Sequence, residues 1–250
     1  MKKKLSLLLA TIMVFSIVLS GCSKKNTSDG TTSNPALNRN NAKDTLIVGM
    51  PEAKGELLPI YFSTSYDGYL VNLMFDPLLT NNEEAEIIPR VAKEYKISDD
   101  HLTYTFSLRD DVKFSDGTPL TAKDVAFTYT LLADPNYDGR YKSEVRELVG
   151  YKEYNEGDAT EIEGIKVMDD HTISFTFTEA KTDNLTKFSM GIMPEHYYSI
   201  EKGNIQEIKD KMQAFDIVGS GSYKFVTFEP KQFAELEVNP DYFLGAAKIP

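Results

Sequence analysis

Several residue types are scarce in this chain of 250 residues, and each scarcity excludes something. Tryptophan is absent, which disfavours a site that stacks indole rings on sugars or flat cofactors. A single cysteine, Cys22, cannot form an internal disulfide framework. The three histidines occur in no HExxH spacing and no CxxC occurs, so no metal site is predicted. No nucleophile elbow or triad order is present either, which indicates a protein without a catalytic constellation.

Basic residues are also in the minority. The chain has 27 Lys and Arg against 38 Asp and Glu, a formal net charge of −11. Loss of residues 1–21 would remove three lysines and no acid, which takes −11 to −14. Such acidity argues against binding to nucleic acid or anionic lipid through a basic face. It does not identify a substrate.

The beginning of the chain resembles a secretory signal. Lys2, Lys3 and Lys4 precede an uncharged run of about 15 residues, shorter than the ~20 that span a bilayer. The LSGC sequence that ends at Cys22 resembles a bacterial lipobox, which implies cleavage before Cys22 and a diacylglyceryl lipid, with chains such as palmitate, on its sulfur. An ordinary signal peptide with a chance cysteine is the alternative. Residues 22–43 are polar and rich in Ser, Thr and Asn, which predicts a flexible tether.

The segment 102–132, LTYTFSLRDDVKFSDGTPLTAKDVAFTYTLL, has the strongest local pattern. Apolar and polar residues alternate from Leu102 to Leu108, which predicts a strand with one buried face. SDGTP then predicts a turn, and Thr121 with Asp124 three residues later predicts a capped helix. A strand, a turn and a helix indicate a folded domain but no function.

This segment resembles the signature of the family 5 extracellular solute-binding proteins, the oligopeptide- and dipeptide-binding components of ABC importers. The order FSDGTPLTA at 114–122 is kept, with Asp111 and Ser115 in place of the usual Gly and His. FDPLLT at 75–80 and VGSGSYKF at 218–225 resemble further family phrases. Family members are about twice as long, so the chain is expected to be a fragment or a truncated gene.

The resemblance implies a mixed α/β, periplasmic-binding-protein-like fold of two lobes with an inserted domain, of which only the first part is present. The implied division is a signal peptide (1–21), a tether (22–43), the first lobe (44–75 and 194–250) and an inserted smaller domain (76–193), with the second lobe missing. The apolar run 45–50 is predicted to be a strand buried on both faces, in one sheet with 222–238. A helix is predicted at about 68–75. The Asp-Asp-His triplets at 99–101 and 169–171 are interpreted as hairpin turns rather than metal ligands.

The function that the resemblance implies is non-enzymatic peptide binding, without a cofactor, at the outer face of the cell membrane or in the periplasm. The peptide would be delivered to membrane permease subunits of the importer. Alternatives are a nickel-chelate, haem or oligosaccharide binder on the same scaffold, or a surface adhesin or signalling lipoprotein that has lost transport. The implied ligand contacts, by position in the family pattern, are Ser63, Thr64, Ser65, Tyr66, Tyr141 and Ser220.

Overall fold

The structure is a computed structural model that describes residues 45–249, a mixture of helices and antiparallel strands. The α-helices are α1 (Ser65–Met74), α2 (Ala122–Leu132), α3 (Tyr151–Glu156), α4 (Glu195–Tyr198) and α5 (Gln206–Gln213). Two 3₁₀-helices cover Arg140–Glu144 and Asn184–Ser189. The strands are β1 (Leu79–Asn81), β2 (Ile87–Pro89), β3 (Ala92–Ile97), β4 (Thr103–Leu108), β5 (Ile165–Asp169), β6 (Thr172–Thr176), β7 (Tyr223–Glu229) and β8 (Phe233–Val238).

The largest sheet has four antiparallel strands in the order β3-β4-β6-β5. The predicted signature strand is its second member, and the predicted alternation is confirmed, because Tyr104, Phe106 and Leu108 are buried. Tyr104 lies opposite Phe175 of β6, and Phe106 lies opposite Ile173. The sheet therefore has one strongly apolar face.

Aromatic rings cover that face. Phe188 lies 4.5 Å from Phe106 and 4.9 Å from Phe175, measured between ring centroids. Tyr129 of α2 lies 4.9 Å from Phe175 and donates its hydroxyl hydrogen bond to the Lys187 carbonyl at 3.0 Å. Edge-to-face pairs of this kind add to the stability that burial alone supplies. The sheet, α2 and the second 3₁₀-helix thus share one core.

The two Asp-Asp-His triplets form the predicted turns. Residues 99–101 lie in the connection from β3 to β4, and Asp169 ends β5, with residues 170–171 connecting it to β6. Asp100 accepts a hydrogen bond from the Leu102 N–H at 3.1 Å, and Asp169 accepts one from the His171 N–H at 2.8 Å. These carboxylates therefore already accept hydrogen bonds from N–H groups of the local backbone. Within 45–249, no group of three or more His, Cys, Asp or Glu is placed to hold a metal ion.

The capped helix of the signature is also confirmed. Asp124 accepts hydrogen bonds from the Thr121 N–H at 2.8 Å and the Thr121 hydroxyl at 3.0 Å, which stabilises the start of α2. The turn before it is tied to another part of the chain, since the Ser115 N–H donates to the Gly219 carbonyl at 2.7 Å. His196 of α4 lies 2.7 Å from Asp116 in the same turn. The signature turn is therefore a junction of three segments.

The predicted strand at 45–50 is wrong. These residues have no regular secondary structure, and Leu46, Ile47 and Val48 are 57%, 67% and 69% exposed. The predicted common sheet with 222–238 is absent from the described residues, where β7 and β8 form a two-stranded sheet by themselves. An apolar run becomes a strand only when a neighbour satisfies its backbone groups, and no described strand pairs with it.

The helix predicted at about 68–75 is present but begins earlier, at Ser65. Ser65 and Tyr66, which precede the predicted helix, therefore lie in its first turn. β1 and β2 were not predicted, because each has only three residues. The strands at 223–229 and 233–238 fall within the predicted stretch.

The described residues belong to one compact unit. The proposed division into a first lobe and an inserted domain stays a prediction. The signal peptide and the whole tether, with Cys22, lie outside the described residues. Among the helices that the structure does describe, none is long and apolar enough to cross a membrane.

Candidate functional site

The start of α1 is organised by a buried carboxylate. Asp67 is fully buried and accepts hydrogen bonds from the N–H groups of Lys54 (3.2 Å), Gly55 (2.8 Å) and Glu56 (3.3 Å). The Thr64 hydroxyl also donates to Asp67 and accepts from the Asp67 N–H at 3.1 Å, so Thr64 is the N-cap of α1. A buried carboxylate needs such partners. It thereby joins the loop at 54–56 to the helix start.

Gly55 makes this arrangement sterically possible. Its φ of +86° lies in the left-handed region, and a Cβ there would come within 2.9 Å of the Phe228 ring. The Gly55 N–H can then point at Asp67. The loop is thus held by backbone geometry as well as by the carboxylate.

A second loop, residues 137–141, holds the same region by donating hydrogen bonds to backbone carbonyl groups of residues 60–63. Tyr137 donates its hydroxyl hydrogen bond to the Ile60 carbonyl at 2.5 Å, and Tyr141 donates to the Phe62 carbonyl at 3.2 Å. Arg140 donates from Nη1 to the Ser63 carbonyl at 3.2 Å. The carbonyl groups of residues 60, 62 and 63 are therefore fixed by residues 77 to 79 positions later in the chain.

Ser63 is the most densely bonded exposed residue of this region. Its N–H donates to Glu56 Oε2 at 3.0 Å, and its hydroxyl also donates to Glu56. Lys54 Nζ donates to the Ser63 hydroxyl at 3.1 Å. Because Ser63 and Lys54 are exposed, this polar group lies at the surface, open to a ligand.

Aromatic side chains lie beside it. Tyr66 is half-buried and Tyr69, one turn further along α1, is 60% exposed, with ring centroids 6.2 Å apart in an edge-on pair. Leu73 continues the row and is 38% exposed. Spacings of three and four residues put these side chains on one face of the helix. The candidate site, defined as residues 54–56, 63–66, 69 and 140–141, therefore combines a polar cluster with an apolar wall.

Ser220 lies elsewhere. It is fully buried, and its hydroxyl accepts a hydrogen bond from the Asp76 N–H at 3.2 Å. The neighbouring Gly221 N–H donates to the Met74 carbonyl at the end of α1. A helix of ten residues is ~15 Å long, so Ser220 and Ser63 lie at opposite ends of α1. The structure brings together Ser63, Thr64, Ser65, Tyr66 and Tyr141, but not Ser220.

Burial affects the chemistry of Tyr141. Loss of solvation raises the pKa of its hydroxyl to about 12, so the group stays protonated and remains a hydrogen-bond donor at neutral pH. The Tyr137 pKa is raised further by the same cause. Both tyrosines therefore serve as fixed donors to backbone carbonyls.

Sequence reasoning missed Lys54, Glu56, Tyr69 and Arg140. Arg140 directly precedes Tyr141, but nothing in the sequence indicates that its side chain reaches Ser63. Tyr69 did carry a signal, since it stands three residues after Tyr66 in a helical segment.

Comparison with known proteins gives the family. Residues 86–250 match the family described as "Bacterial extracellular solute-binding proteins, family 5 Middle". The match covers well over half of the chain, and the chain belongs to this family. Membership places it among proteins that work outside the cytoplasm.

Individual relatives agree. The chain is 30% identical over 185 residues to the periplasmic oligopeptide-binding protein OppA of Salmonella typhimurium. The matched residues cover 70% of this chain and 32% of the relative. It is 26% identical over 248 residues to the oligopeptide-binding protein OppA of Bacillus subtilis, covering 97% and 44%. The chain thus spans less than half the length of these curated relatives.

A solved structure shows the same fold. The crystal structure of NikZ from Campylobacter jejuni in complex with Ni(L-His) superposes with a TM-score of 0.66 at 25% identity, covering 83% of this chain and 38% of that one. The mixed α/β, periplasmic-binding-protein-like fold expected from the sequence is therefore confirmed. The expected family is confirmed as well.

Proposed function

We propose that this chain binds peptides outside the cytoplasm and supplies them to the permease subunits of an ABC importer. Membership of the solute-binding family supports this, as do two relatives named as oligopeptide-binding proteins. The chain acts as a binding component and not as an enzyme, in line with those relatives.

One observation of the geometry carries the proposal. The candidate site presents an exposed aromatic row beside exposed hydroxyl and charged groups, while hydrogen bonds from Tyr137, Arg140 and Tyr141 fix its backbone carbonyl groups. A surface fixed before the ligand arrives loses little entropy on binding. Rigid tyrosines can contact varied side chains, and polar groups can bond the amides common to all peptides.

The proposed roles follow the placement of each residue. Ser63 and Ser65 bond peptide amides, and Tyr66, Tyr69 and Tyr141 form the wall against which side chains pack. Thr64 acts indirectly, as the N-cap of α1. Ser220 supports the far end of α1 through its bond to the Asp76 N–H.

Isothermal titration calorimetry with a mixed pool of short peptides tests the proposal. We expect saturable binding, and Tyr69→Ala is expected to weaken it about tenfold, or ~1.4 kcal/mol. Met168→Ala is the matched control, because Met168 is 59% exposed on β5, whereas Tyr69 is 60% exposed on α1. Absence of peptide binding by the folded chain would contradict the proposal.

A nickel complex is the second candidate ligand, and the likeness to the Campylobacter protein that holds Ni(L-His) favours it. The same calorimetric experiment with Ni(L-His) in place of peptides decides between the two. Binding of the nickel complex without binding of peptides would support this alternative.

We also propose that Cys22 carries a lipid that anchors the chain at the outer face of the membrane. The LSGC sequence at 19–22 supports this. Mass spectrometry of the mature protein tests it. A diacylglyceryl adduct on an N-terminal Cys22 is expected, and an unmodified Cys22 would contradict the anchor.

A further inference from the structure

The loop that fixes the candidate site is itself fixed by a later part of the chain. Residues 137–141 donate hydrogen bonds to backbone carbonyl groups within residues 60–63. The start of this loop is bonded in turn to residues 203–209, a turn followed by the first half of α5. These bonds join residues 67, 69 and 71 positions apart. We call residues 203–209 the support segment.

Asp134 is the buried attachment of the loop to the support segment. It is 2% exposed, and its Oδ1 accepts from the Asn136 N–H at 2.9 Å while its Oδ2 accepts from the Gly203 N–H at 2.6 Å. The Asp134 carbonyl also accepts from the Tyr137 N–H at 3.1 Å. A carboxylate at this depth needs such donors, because its charge is otherwise unsolvated. Asp134 therefore shapes the start of the loop and ties it to Gly203.

Gly203 is held at both its N–H and its carbonyl. Asn136 Nδ2 donates to the Gly203 carbonyl at 2.6 Å, opposite in direction to the bond from the Gly203 N–H to Asp134. The Gly203 φ of +88° lies in the left-handed region that favours glycine. Because hydrogen bonds are directional, this reciprocal pair fixes both the position and the orientation of the loop.

Lys209 of α5 supplies a third bond. Its Nζ donates to Asp138 Oδ2 at 2.5 Å and lies 5.7 Å from the centre of the Tyr61 ring. The Tyr61 and Tyr137 ring centroids are 5.5 Å apart. The Lys209 side chain is 23% exposed, so its ammonium group is held more firmly than in a fully solvated surface pair.

We infer that the support segment positions the peptide site, with Asp134 and Lys209 as positioning residues that hold loop 137–141 and, through it, the backbone at 60–63. Neither residue belongs to the candidate site. The inference rests on the proposed function. A surface held in place before the ligand arrives loses less entropy on binding, so release of the support should weaken binding although no ligand contact is removed.

Charge reversal at the pair of Lys209 and Asp138 tests this inference. Asp138→Lys places two ammonium groups opposite each other, and we expect calorimetry with the mixed pool of short peptides to show about threefold weaker binding. Lys209→Asp should have the same effect. The double variant, Asp138→Lys with Lys209→Asp, restores an ion pair of opposite polarity and should return the affinity to near that of the unmodified chain.

Asp111→Lys is the matched control. Asp111 is bonded to Arg109 as Asp138 is to Lys209, and the two carboxylate side chains are 48% and 61% exposed. The change in charge is the same, but Asp111 lies outside the loop and the support segment. The affinity of Asp111→Lys for the peptide pool should be unchanged.

Asp134→Asn tests the buried attachment. The amide turns an NH₂ group toward one of the two N–H donors, and we expect about tenfold weaker binding. Hydrogen exchange without ligand gives a readout that does not depend on peptide. The amides of residues 61–63 should exchange faster in Asp134→Asn and Asp138→Lys, while exchange in β4 follows the global loss only. The double variant should restore the original exchange.

Three outcomes would overturn the inference. Unchanged affinity and unchanged exchange at 61–63 in Asp138→Lys and Asp134→Asn would show that these bonds only stabilise the fold, and would leave the proposed function intact. If Asp134→Asn does not fold, the charge-reversal variants decide alone. A loss in Asp111→Lys equal to that in Asp138→Lys would trace the effect to net charge. Failure of the folded, unmodified chain to bind peptides would overturn both the inference and the proposed function.

Discussion

The four-stranded sheet and the candidate site are stabilised by different kinds of interaction. The sheet buries a cluster of aromatic rings centred on Phe188, whereas the site is held by hydrogen bonds to backbone groups of residues 54–56 and 60–63. Apolar burial stabilises in proportion to area and does not depend on direction, but hydrogen bonds are directional. The sheet therefore supplies stability, and the site supplies a defined surface.

The largest expected effect lies in the sheet. Phe188→Ala removes a ring that contacts Phe106, Phe175 and Tyr129, and we expect it to lower the free energy of unfolding by roughly 3–5 kcal/mol. Urea unfolding followed by circular dichroism measures this. Met168→Ala should change stability by less than about 0.5 kcal/mol. A small effect of Phe188→Ala would mean that the cluster is not the main source of stability.

An intermediate effect is expected from Asp67→Asn. The amide has one oxygen and an NH₂ group, so it cannot accept from three N–H donors and the Thr64 hydroxyl as the carboxylate does. We expect a loss of roughly 1.5–3 kcal/mol in stability. Hydrogen exchange at the N–H groups of residues 54–56 should become faster, while exchange in β4 follows the global loss only.

Asp99→Asn is the control for this change, because Asp99 is an exposed turn residue. Unaltered exchange at 54–56 in Asp67→Asn would show that other contacts hold this loop. That outcome would remove the distinction between the two regions.

The smallest expected effect is a dependence of stability on pH, and it arises at the edge of the sheet region. Hydrogen bonding from Lys181 lowers the pKa of Glu147 below its ordinary value of 4.5. A carboxyl whose pKa is depressed on folding contributes stability above its ordinary pKa and loses it as pH falls. Glu147→Gln should therefore reduce stability above pH 4.5 and have a diminishing effect below it. Because the pair is partly exposed, the difference should stay below about 1 kcal/mol.

Thermal unfolding of both proteins from pH 3 to 7 measures this difference. High salt should reduce it as well. A difference that grows on acidification would contradict the expected sign.

The same contrast explains what the sequence could predict. Alternation from Leu102 to Leu108 and the Thr121–Asp124 spacing are local patterns, and both were confirmed. The contacts of Tyr137 and Tyr141 with Ile60 and Phe62 join residues 77 and 79 positions apart, and no local pattern reports them. The Thr64–Asp67 cap was a local signal that was overlooked, and the start of α1 was misplaced for that reason.

The run at 45–50 shows the limit of hydrophobic pattern. Its composition suits a strand, but pairing depends on a neighbour that the pattern does not reveal. The row formed by Tyr66 and Tyr69 shows the converse, because helical spacing alone would have placed both rings on one face once the helix start was known.

The hydrogen bonds that hold the candidate site end mainly on amide and carbonyl groups of the main chain, which every residue type except proline supplies in full. The shape of the site is thus largely independent of which side chains project from residues 54 and 63, whereas the Glu56 carboxylate accepts from the Ser63 N–H and belongs to the scaffold. Under the proposed function, replacement of the side chains at 54 and 63 is expected to alter ligand choice without dismantling the scaffold. A library randomised at these two positions, with Glu56, Asp67 and Tyr141 retained, is therefore a practical starting point for engineering new selectivity.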